Sequence, residues 1–370
     1  MPNSTIHIVH VIDDLASTGG GTSRAVVNLT SHLSAIEGCL CSIFAKATDE
    51  SQLVHDPRVA VCYADQQPNQ RLVHESLATL HREKPIDVIH TNGIWSPFIH
   101  SASSFARRNK IKLVATPHGM LEPWSLSQKK WKKKIAWWTY QRNDLKNADA
   151  IQVTAESEAM SVRNLGLNKC IMVPNGVDIR PLPQNIDRKP TALFLSRVHP
   201  KKGIPILISA WEKLNRKDWE LLIVGPGDLD YLKQIQNQID NLADRVCVKL
   251  LPPVDGADKD LLYESASLFV LPTHSENFGI VVAEALEREL PVITTTGTPW
   301  TELDSVGCGW CIELSEQNLI QAIESAQRLS PQERRKMGVA GREYVTKNFA
   351  WPAIASKLVD YYRQIINESN

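Results

Sequence analysis

The sequence predicts an α/β protein of two Rossmann-like halves, each a parallel sheet covered by helices. Three observations carry that expectation. Ile6–Ile12 is an apolar strand followed by a glycine-rich turn, Ser17–Ser23, and a helical pattern, Ala25–Leu33; strand, glycine turn and helix is how a Rossmann-like half begins. Short apolar strands then keep alternating with helical stretches, the pattern of a covered parallel sheet. The alternation restarts at Thr191–Leu195, after a stretch that carries Pro181, Pro183 and Pro190.

In the first half the strands are Ile6–Ile12, Ser42–Ala45, Val59–Tyr63, Asp87–Thr91, Lys112–Thr116, Ala150–Val153 and Cys170–Val173. Pro174-Asn-Gly-Val-Asp178 is turn chemistry, and Ile179–Pro190 has almost no apolar periodicity, which marks a linker or hinge. In the second half, strands are expected at Thr191–Leu195, Glu220–Val224, Val246–Leu251, Leu268–Leu271 and Pro291–Thr294, with a short one at Cys311. Helices include Pro205–Leu214 and, at the end, Trp351–Ile366.

With 370 residues the chain is long enough for two domains, and 43% hydrophobic with 22% charged residues fits a globular protein. Lys and Arg number 41 and so do Asp and Glu, so no global field favours nucleic acid. No segment approaches the ~20 apolar residues of a membrane span, and Met1–His7 lacks the layout of a signal peptide. Seven cysteines without framework spacing suit a reducing compartment. A cytoplasmic protein is expected.

The stretch Leu271–Glu284 holds the densest chemistry. A strand ends at Leu271, a polar loop carries Glu276, and an apolar helical run carries Glu284. A helix starting near Gly279 would aim the amides of Phe278, Gly279 and Ile280 at a ligand. Helix N-termini carry about half a positive charge and bind anions, and glycine allows close approach. Amides for phosphate and carboxylates for hydroxyls suit a sugar nucleotide. In Ser196-Arg-Val-His-Pro-Lys-Lys-Gly203, another strand-to-helix loop, Arg197 and Lys202 could grip a diphosphate. His118, in Thr116-Pro-His-Gly119, stands beyond the carboxyl end of a strand, where ligands bind in open α/β sheets. Gly20 and Gly21 could bring amides near a phosphate or an acceptor.

From Glu122 to Lys146 there are seven basic and two acidic residues, a net +5, together with Trp124, Trp131, Trp137 and Trp138. Trp131, Ile135 and Trp138 share one helical face. The expectation is a long helix packing most of its aromatic face on its own domain, with lysines in solvent; the other reading is contact with an anionic membrane. Two further motifs are set aside. Asp228-Leu-Asp230 has a metal-binding form but opens a helix, where aspartates cap, and no metal site is expected. Cys308-Gly-Trp-Cys311 has a redox form but lacks the helix N-terminus such sites use.

Taken together, the chain resembles the family 4 retaining glycosyltransferases, which have the two-domain GT-B fold. The resemblance rests on Pro174-Asn-Gly-Val-Asp178, Ser196–Gly203 and Glu276-Asn-Phe-Gly-x4-Glu284, and covers nearly the whole chain. Thr116–Trp124, Tyr140-Gln-Arg142 and Gly297-Thr-Pro-Trp300 are similar to a bacterial exopolysaccharide subgroup, including cyanobacterial members that build heterocyst envelope polysaccharide. The resemblance implies domains at 1–180 and 181–350 facing across a cleft, with 351–370 returning to the first. It implies that Arg197 and Lys202 hold the donor diphosphate, that Glu284 binds ribose, and that Glu276 faces the donor sugar. The amides of Asn277, Phe278, Gly279 and Ile280 would bind sugar hydroxyls and the distal phosphate. His118 would approach the sugar from the other domain, Gly20 and Gly21 would lie near diphosphate or acceptor, and Pro253 and Val254 would flank the base. The implied donor is a nucleotide sugar, UDP-glucose ahead of GDP-mannose, used as a substrate with no cofactor. The implied acceptor is a saccharide or lipid-linked saccharide at an inner membrane face. A hydrolysing sugar-nucleotide epimerase and a non-catalytic binder are the alternatives. One departure is Glu289-Leu290, where the family usually has a glycine.

Overall fold

The computed structural model describes the chain apart from residues 1–4, 17–20, 49–55, 184–185, 244–245 and 369–370. Gly20 therefore lies outside the described residues. The chain divides into two compact units, Met1–Gly176 with Trp351–Asn370, and Val177–Ala350.

The first unit runs β1 (Ile6–Ile12), α1 (Gly21–Ser34), β2 (Cys39–Lys46), β3 (Ala60–Ala64), α2 (Gln70–Glu83), β4 (Val88–Asn92), α3 (Pro97–Arg108) and β5 (Lys112–Thr116). It continues with α4 (Pro123–Ser127), α5 (Lys130–Ala136), a π-helical turn (Trp137–Gln141), α6 (Arg142–Lys146), β6 (Ala150–Val153), α7 (Glu156–Asn164) and β7 (Cys170–Met172). Its seven strands pair in parallel in the order β3-β2-β1-β4-β5-β6-β7. Side chains alternate across such a sheet. Val9, Val11, Ile89, Leu113 and Ile151 pack with Leu77, Phe98 and Phe105. Ile8, Val88, Val114 and Ala150 face the other way, onto Leu29, Leu33 and the C-terminal residues Ile354, Leu358 and Tyr362.

The second unit runs β8 (Thr191–Leu195), a 3-10 turn (Pro200–Lys202), α8 (Ile204–Leu214), β9 (Glu220–Val224), α9 (Leu229–Asp240), β10 (Val248–Leu251) and α10 (Gly256–Ser265). Then come β11 (Leu268–Leu271), α11 (Ile280–Glu287), β12 (Val292–Thr295), α12 (Leu303–Val306), β13 (Gly309–Ile312), α13 (Glu316–Arg328) and α14 (Pro331–Phe349). Six parallel strands lie in the order β10-β9-β8-β11-β12-β13. The last helix, α15 (Trp351–Asn367), belongs to the first unit. It buries Trp351, Ile354, Ala355, Leu358, Val359, Tyr362 and Ile365, the stripe of an amphipathic helix.

Three expectations are corrected. The described residues of 179–190 are irregular, but they are fastened to the second unit rather than free. Arg180 donates its amide to Glu287 at 2.9 Å and its guanidinium to both oxygens of Asp260, while Arg188 donates to the carbonyls of Tyr263, Ala266 and Arg288. The stretch 123–146 is not one regular helix. Lys129 turns left-handed at φ 49°, and the Arg142 amide bonds back to the Trp137 carbonyl, the five-residue step of a π turn. Finally, its apolar face is not packed away: Trp131, Trp138 and Ile135 are 78%, 69% and 64% exposed. Among the described residues no helix is long and apolar enough to cross a membrane.

Candidate active site

In the second unit, strand order reverses between β8 and β11, the topological switch point where ligands settle in open α/β sheets. The loops leaving those two strands are the ones singled out in the sequence. They meet closely: His274 donates its amide to the Lys201 carbonyl at 2.8 Å, and Thr273 Oγ1 donates to the same oxygen at 3.1 Å. Gly203 makes the approach possible. It has φ 67°, and a Cβ there would stand 2.0 Å from the Pro272 carbonyl oxygen.

This contact brings Lys202 to Glu276, and the two form an ion pair with most of both side chains buried. Arg197 is exposed in the same loop and has no carboxylate partner among the described residues. Burial, and then the charges of Arg197, Lys202 and Lys201, push the pKa of His199 down; its Nδ1 accepts from the Lys201 amide at 3.1 Å. The loop thus offers several cations against a single paired carboxylate.

Helix α11 starts at Ile280, and Gly279 is its cap at φ 72°. The amides of Phe278, Gly279 and Ile280 bond to no other group among the described residues. Asn277 Oδ1 is buried without a partner among the described residues; buried acceptors are seldom left so. Phe278 is anchored from behind, since Trp300 Nε1 donates to its carbonyl at 2.6 Å and the two rings lie 5.2 Å apart. Glu284 stands one turn into α11. Lys259 Nζ lies 2.6 Å from its Oε1, and the Tyr263 hydroxyl donates to its Oε2 at 3.0 Å. Pro253 is exposed and Val254 partly buried in the loop from β10 to α10. Lys259 and Tyr263 escaped the sequence reading, and Trp300 was read only as part of a motif, without its hold on Phe278. Lys259 and Tyr263 lie on α10, and only the tertiary fold carries them to Glu284.

In the first unit His118 sits in the turn after β5 at φ 50°, followed by Gly119 at φ 74°. Glu158, buried on α7, holds that turn by accepting from the Gly119 amide at 2.5 Å and the Thr154 amide at 2.8 Å. His118 Nε2 bonds to Asn92 Oδ1 at 3.2 Å, and desolvation lowers its pKa to about 4. Gly21 is the exposed first residue of α1, and among the described residues no atom lies within 4 Å of where a Cβ would stand.

The two motifs set aside behave structurally. Asp228 caps α9, accepting from the amides of Asp230 and Tyr231. Cys308 is buried and Cys311 lies on β13, with burial pushing their thiols up to about 12 and about 11. At Glu289, where the resemblance implies glycine, the backbone takes φ 56°. A left-handed turn is thus made here without a glycine.

The family described as "Glycosyltransferase Family 4" matches residues 19–180, and "Glycosyl transferases group 1" matches residues 178–344. The D-inositol 3-phosphate glycosyltransferase of Xylanimonas cellulosilytica is 28% identical over 244 residues, covering 59% of this chain and 57% of that protein. The chain spans about half the length of the curated relatives it matches. Among solved structures, sucrose-phosphate synthase from Thermosynechococcus elongatus superposes with a TM-score of 0.77 at 22% identity, covering 98% of this chain and 100% of that one. Anabaena Alr3699/HepE, solved with UDP and glucose, gives 0.78 at 19% identity, with 96% and 98% covered. These likenesses show a shared fold of two Rossmann-like units. One glycosyltransferase family model thus matches each unit, family 4 the first and group 1 the second, and the two units together have the GT-B fold.

Proposed function

We propose that this protein is a retaining hexosyltransferase that moves glucose from UDP-glucose to a saccharide acceptor in polysaccharide biosynthesis. The observation that carries the reading is the meeting of Arg197, Lys202, Glu276 and the N-terminus of α11 at one switch point. Breaking the bond between sugar and phosphate leaves negative charge on the diphosphate and positive charge on the sugar. Arg197 and Lys202 oppose the first of these as it grows, which is where preorganised charge accelerates a reaction. Losing one such contact costs about 2.7–4 kcal/mol of barrier. The free amides of Phe278, Gly279 and Ile280 add donors for phosphate and sugar oxygens, and Glu284 receives ribose hydroxyls. Glu276 orients the sugar and is no nucleophile: it is tied to Lys202, and retention proceeds by front-face attack with the departing phosphate taking the acceptor's proton. His118 contacts the donor sugar. Because side chains and a helix terminus meet the phosphate charge, transfer needs no divalent metal and survives chelation. The nucleotide and sugar follow family frequency, and the UDP and glucose bound by the Anabaena relative support them.

The acceptor is a lipid-linked saccharide, and the exposed Trp131, Ile135 and Trp138 meet an anionic membrane surface with Lys129, Lys130, Lys132 and Lys134 around them. Lys134 Nζ lies 5.7 Å from the Trp131 ring centre, and the Arg142 guanidinium 5.7 Å from that of Trp138. Cations beside exposed aromatic rings suit a headgroup layer. Lys133 instead turns inward and donates to the Ser125 carbonyl at 2.6 Å.

Thermal shift against UDP-, GDP- and ADP-sugars, followed by product analysis with and without a saccharide acceptor, tests the reading. Saturation at 100-fold over Kd adds about 2.7 kcal/mol of stability. Stabilisation by UDP-glucose and acceptor-dependent release of UDP are expected. Free UDP released equally without acceptor would instead mark a hydrolytic enzyme.

A further inference from the structure

Strand alternation lines one face of the first unit's sheet with polar groups where α15 covers it. His10 and His90 are register partners on β1 and β4, Asn92 pairs with Thr116, and all four are buried. Tyr362 of α15 reaches between the two histidines, whose ring centres are 4.6 Å apart. The hydrogen bonds among these groups have only one consistent direction.

The direction is set at one end by Gln152, whose Nε2 donates to the Val173 carbonyl at 2.9 Å. Its Oε1 must then accept, and Thr116 Oγ1 donates to it at 3.3 Å. With that proton used, Thr116 accepts from His90 Nε2 at 2.6 Å. Neutral His90 is left with a lone pair on Nδ1, which takes the Tyr362 hydroxyl proton at 2.5 Å. The Tyr362 oxygen in turn accepts from His10 Nε2 at 3.4 Å, and His10 Nδ1 accepts from Asn92 Nδ2 at 3.3 Å. Asn92 Oδ1 is therefore the acceptor for His118 Nε2 at 3.2 Å. The other end gives the same answer independently. Asn92 Nδ2 faces the carbonyls of His90 at 3.2 Å and Val11 at 3.4 Å, so it can only donate.

We propose that Asn92 is a positioning residue that fixes His118 as the neutral tautomer with its proton on Nε2, so that Nδ1 presents a lone pair to a sugar hydroxyl. His10 and Tyr362 support it from beneath: Tyr362 sets the tautomer of His10, and His10 takes the Asn92 amide proton. An extra proton on His10 Nδ1 would set it against the Asn92 amide, and one on His90 Nδ1 would turn the Tyr362 hydroxyl into an acceptor and leave its proton unplaced. Burial acts in the same sense, lowering the pKa of His10 to about 3 and that of His90 well below its ordinary value. The role in transfer rests on His118 contacting the donor sugar; the tautomer itself does not.

Long-range 1H–15N spectra of the 15N-histidine-labelled protein, with His118 assigned through His118→Gln, read the tautomer directly and without ligand. The expected result is a proton on Nε2 in His10, His90 and His118. A proton on Nδ1 of His118, or a mixture, would overturn the assignment whatever the protein's activity. In Asn92→Leu, the His118 nitrogens should become exchange-averaged while His90, held by Tyr362 and Thr116, keeps its signature. Turnover should fall by up to about 100-fold, as for a misplaced reacting group, with the donor KM little changed. A scrambled His118 with wild-type turnover would overturn the positioning role. Full turnover in His118→Gln would instead remove the sugar contact on which that role rests.

Discussion

Lys259 Nζ lies 2.6 Å from Glu284 Oε1 while the Tyr263 hydroxyl donates to Oε2 at 3.0 Å, so both oxygens of this carboxylate are oriented before any ligand arrives. Burial pushes the Tyr263 phenol far up, which keeps it a donor. A ribose would then find a carboxylate already turned, with its remaining lone pairs free. Glu284→Ala should weaken UDP binding in calorimetry by about 1.5–3 kcal/mol, the worth of hydrogen bonds to a charged group. Tyr263→Phe should cost about 1 kcal/mol. Unchanged affinity in Glu284→Ala would take ribose away from this residue.

Glu289 holds φ 56° between α11 and β12, a left-handed conformation that costs an ordinary residue roughly 1–2 kcal/mol. Glycine relieves that cost but gives back about 0.5–1 kcal/mol of chain entropy. Glu289→Gly is expected to raise stability by up to about 1 kcal/mol, read as a higher urea midpoint. A lower midpoint would mean that contacts of the Glu289 side chain outweigh the strain.

Two desolvated histidines, His10 buried and His118 half-buried, make the fold acid-sensitive. His10 and His118 have pKa values of about 3 and about 4, below the ordinary 6.5, with burial the main cause in each. Their neutral forms therefore contribute in full above pH 6.5, and the contribution is lost as pH falls through about 4 and about 3, because the unfolded chain takes protons first. Each group adds a slope of up to about 1.4 kcal/mol per pH unit in that window. Urea unfolding across the window should show falling stability, with a shallower slope in His118→Gln. A slope unaltered by that substitution would contradict the desolvation of His118.

The exposed face of α5 and the π turn gives the membrane proposal a direct test. With Lys129, Lys130, Lys132, Lys133 and Lys134 changed to glutamine, binding to anionic vesicles at low salt should fall, each lysine near the surface contributing about 1 kcal/mol. Lys133 should matter least, since Ser125 already engages it. UDP binding should be untouched. Equal flotation of wild type and variant would reduce this face to scaffold.

The strands were legible because each is a short apolar run with a turn on either side. Ile6–Ile12, Lys112–Thr116 and Leu268–Leu271 appear with the bounds read from the sequence. The loops holding Arg197, Lys202 and Glu276 were legible for a related reason: in a parallel sheet, chemistry gathers where strands end. The exposed tryptophans were misread because helical spacing shows that Trp131, Ile135 and Trp138 share a face but not what covers it. Asn92 and Tyr362 lie 270 residues apart within buried apolar stretches, and only register and the return of α15 bring them into one network.

The proposed chemistry depends most on the loop from Ser196 to Gly203 gripping a diphosphate. Calorimetric titration of UDP into the wild type, Arg197→Ala and Lys202→Ala tests it most directly, with melting curves checking that each variant folds. Saturable binding by the wild type is expected, with a loss of about 1.5–3 kcal/mol in each variant, since each removes a charge-assisted bond to phosphate. Wild-type affinity for UDP in both folded variants would contradict it.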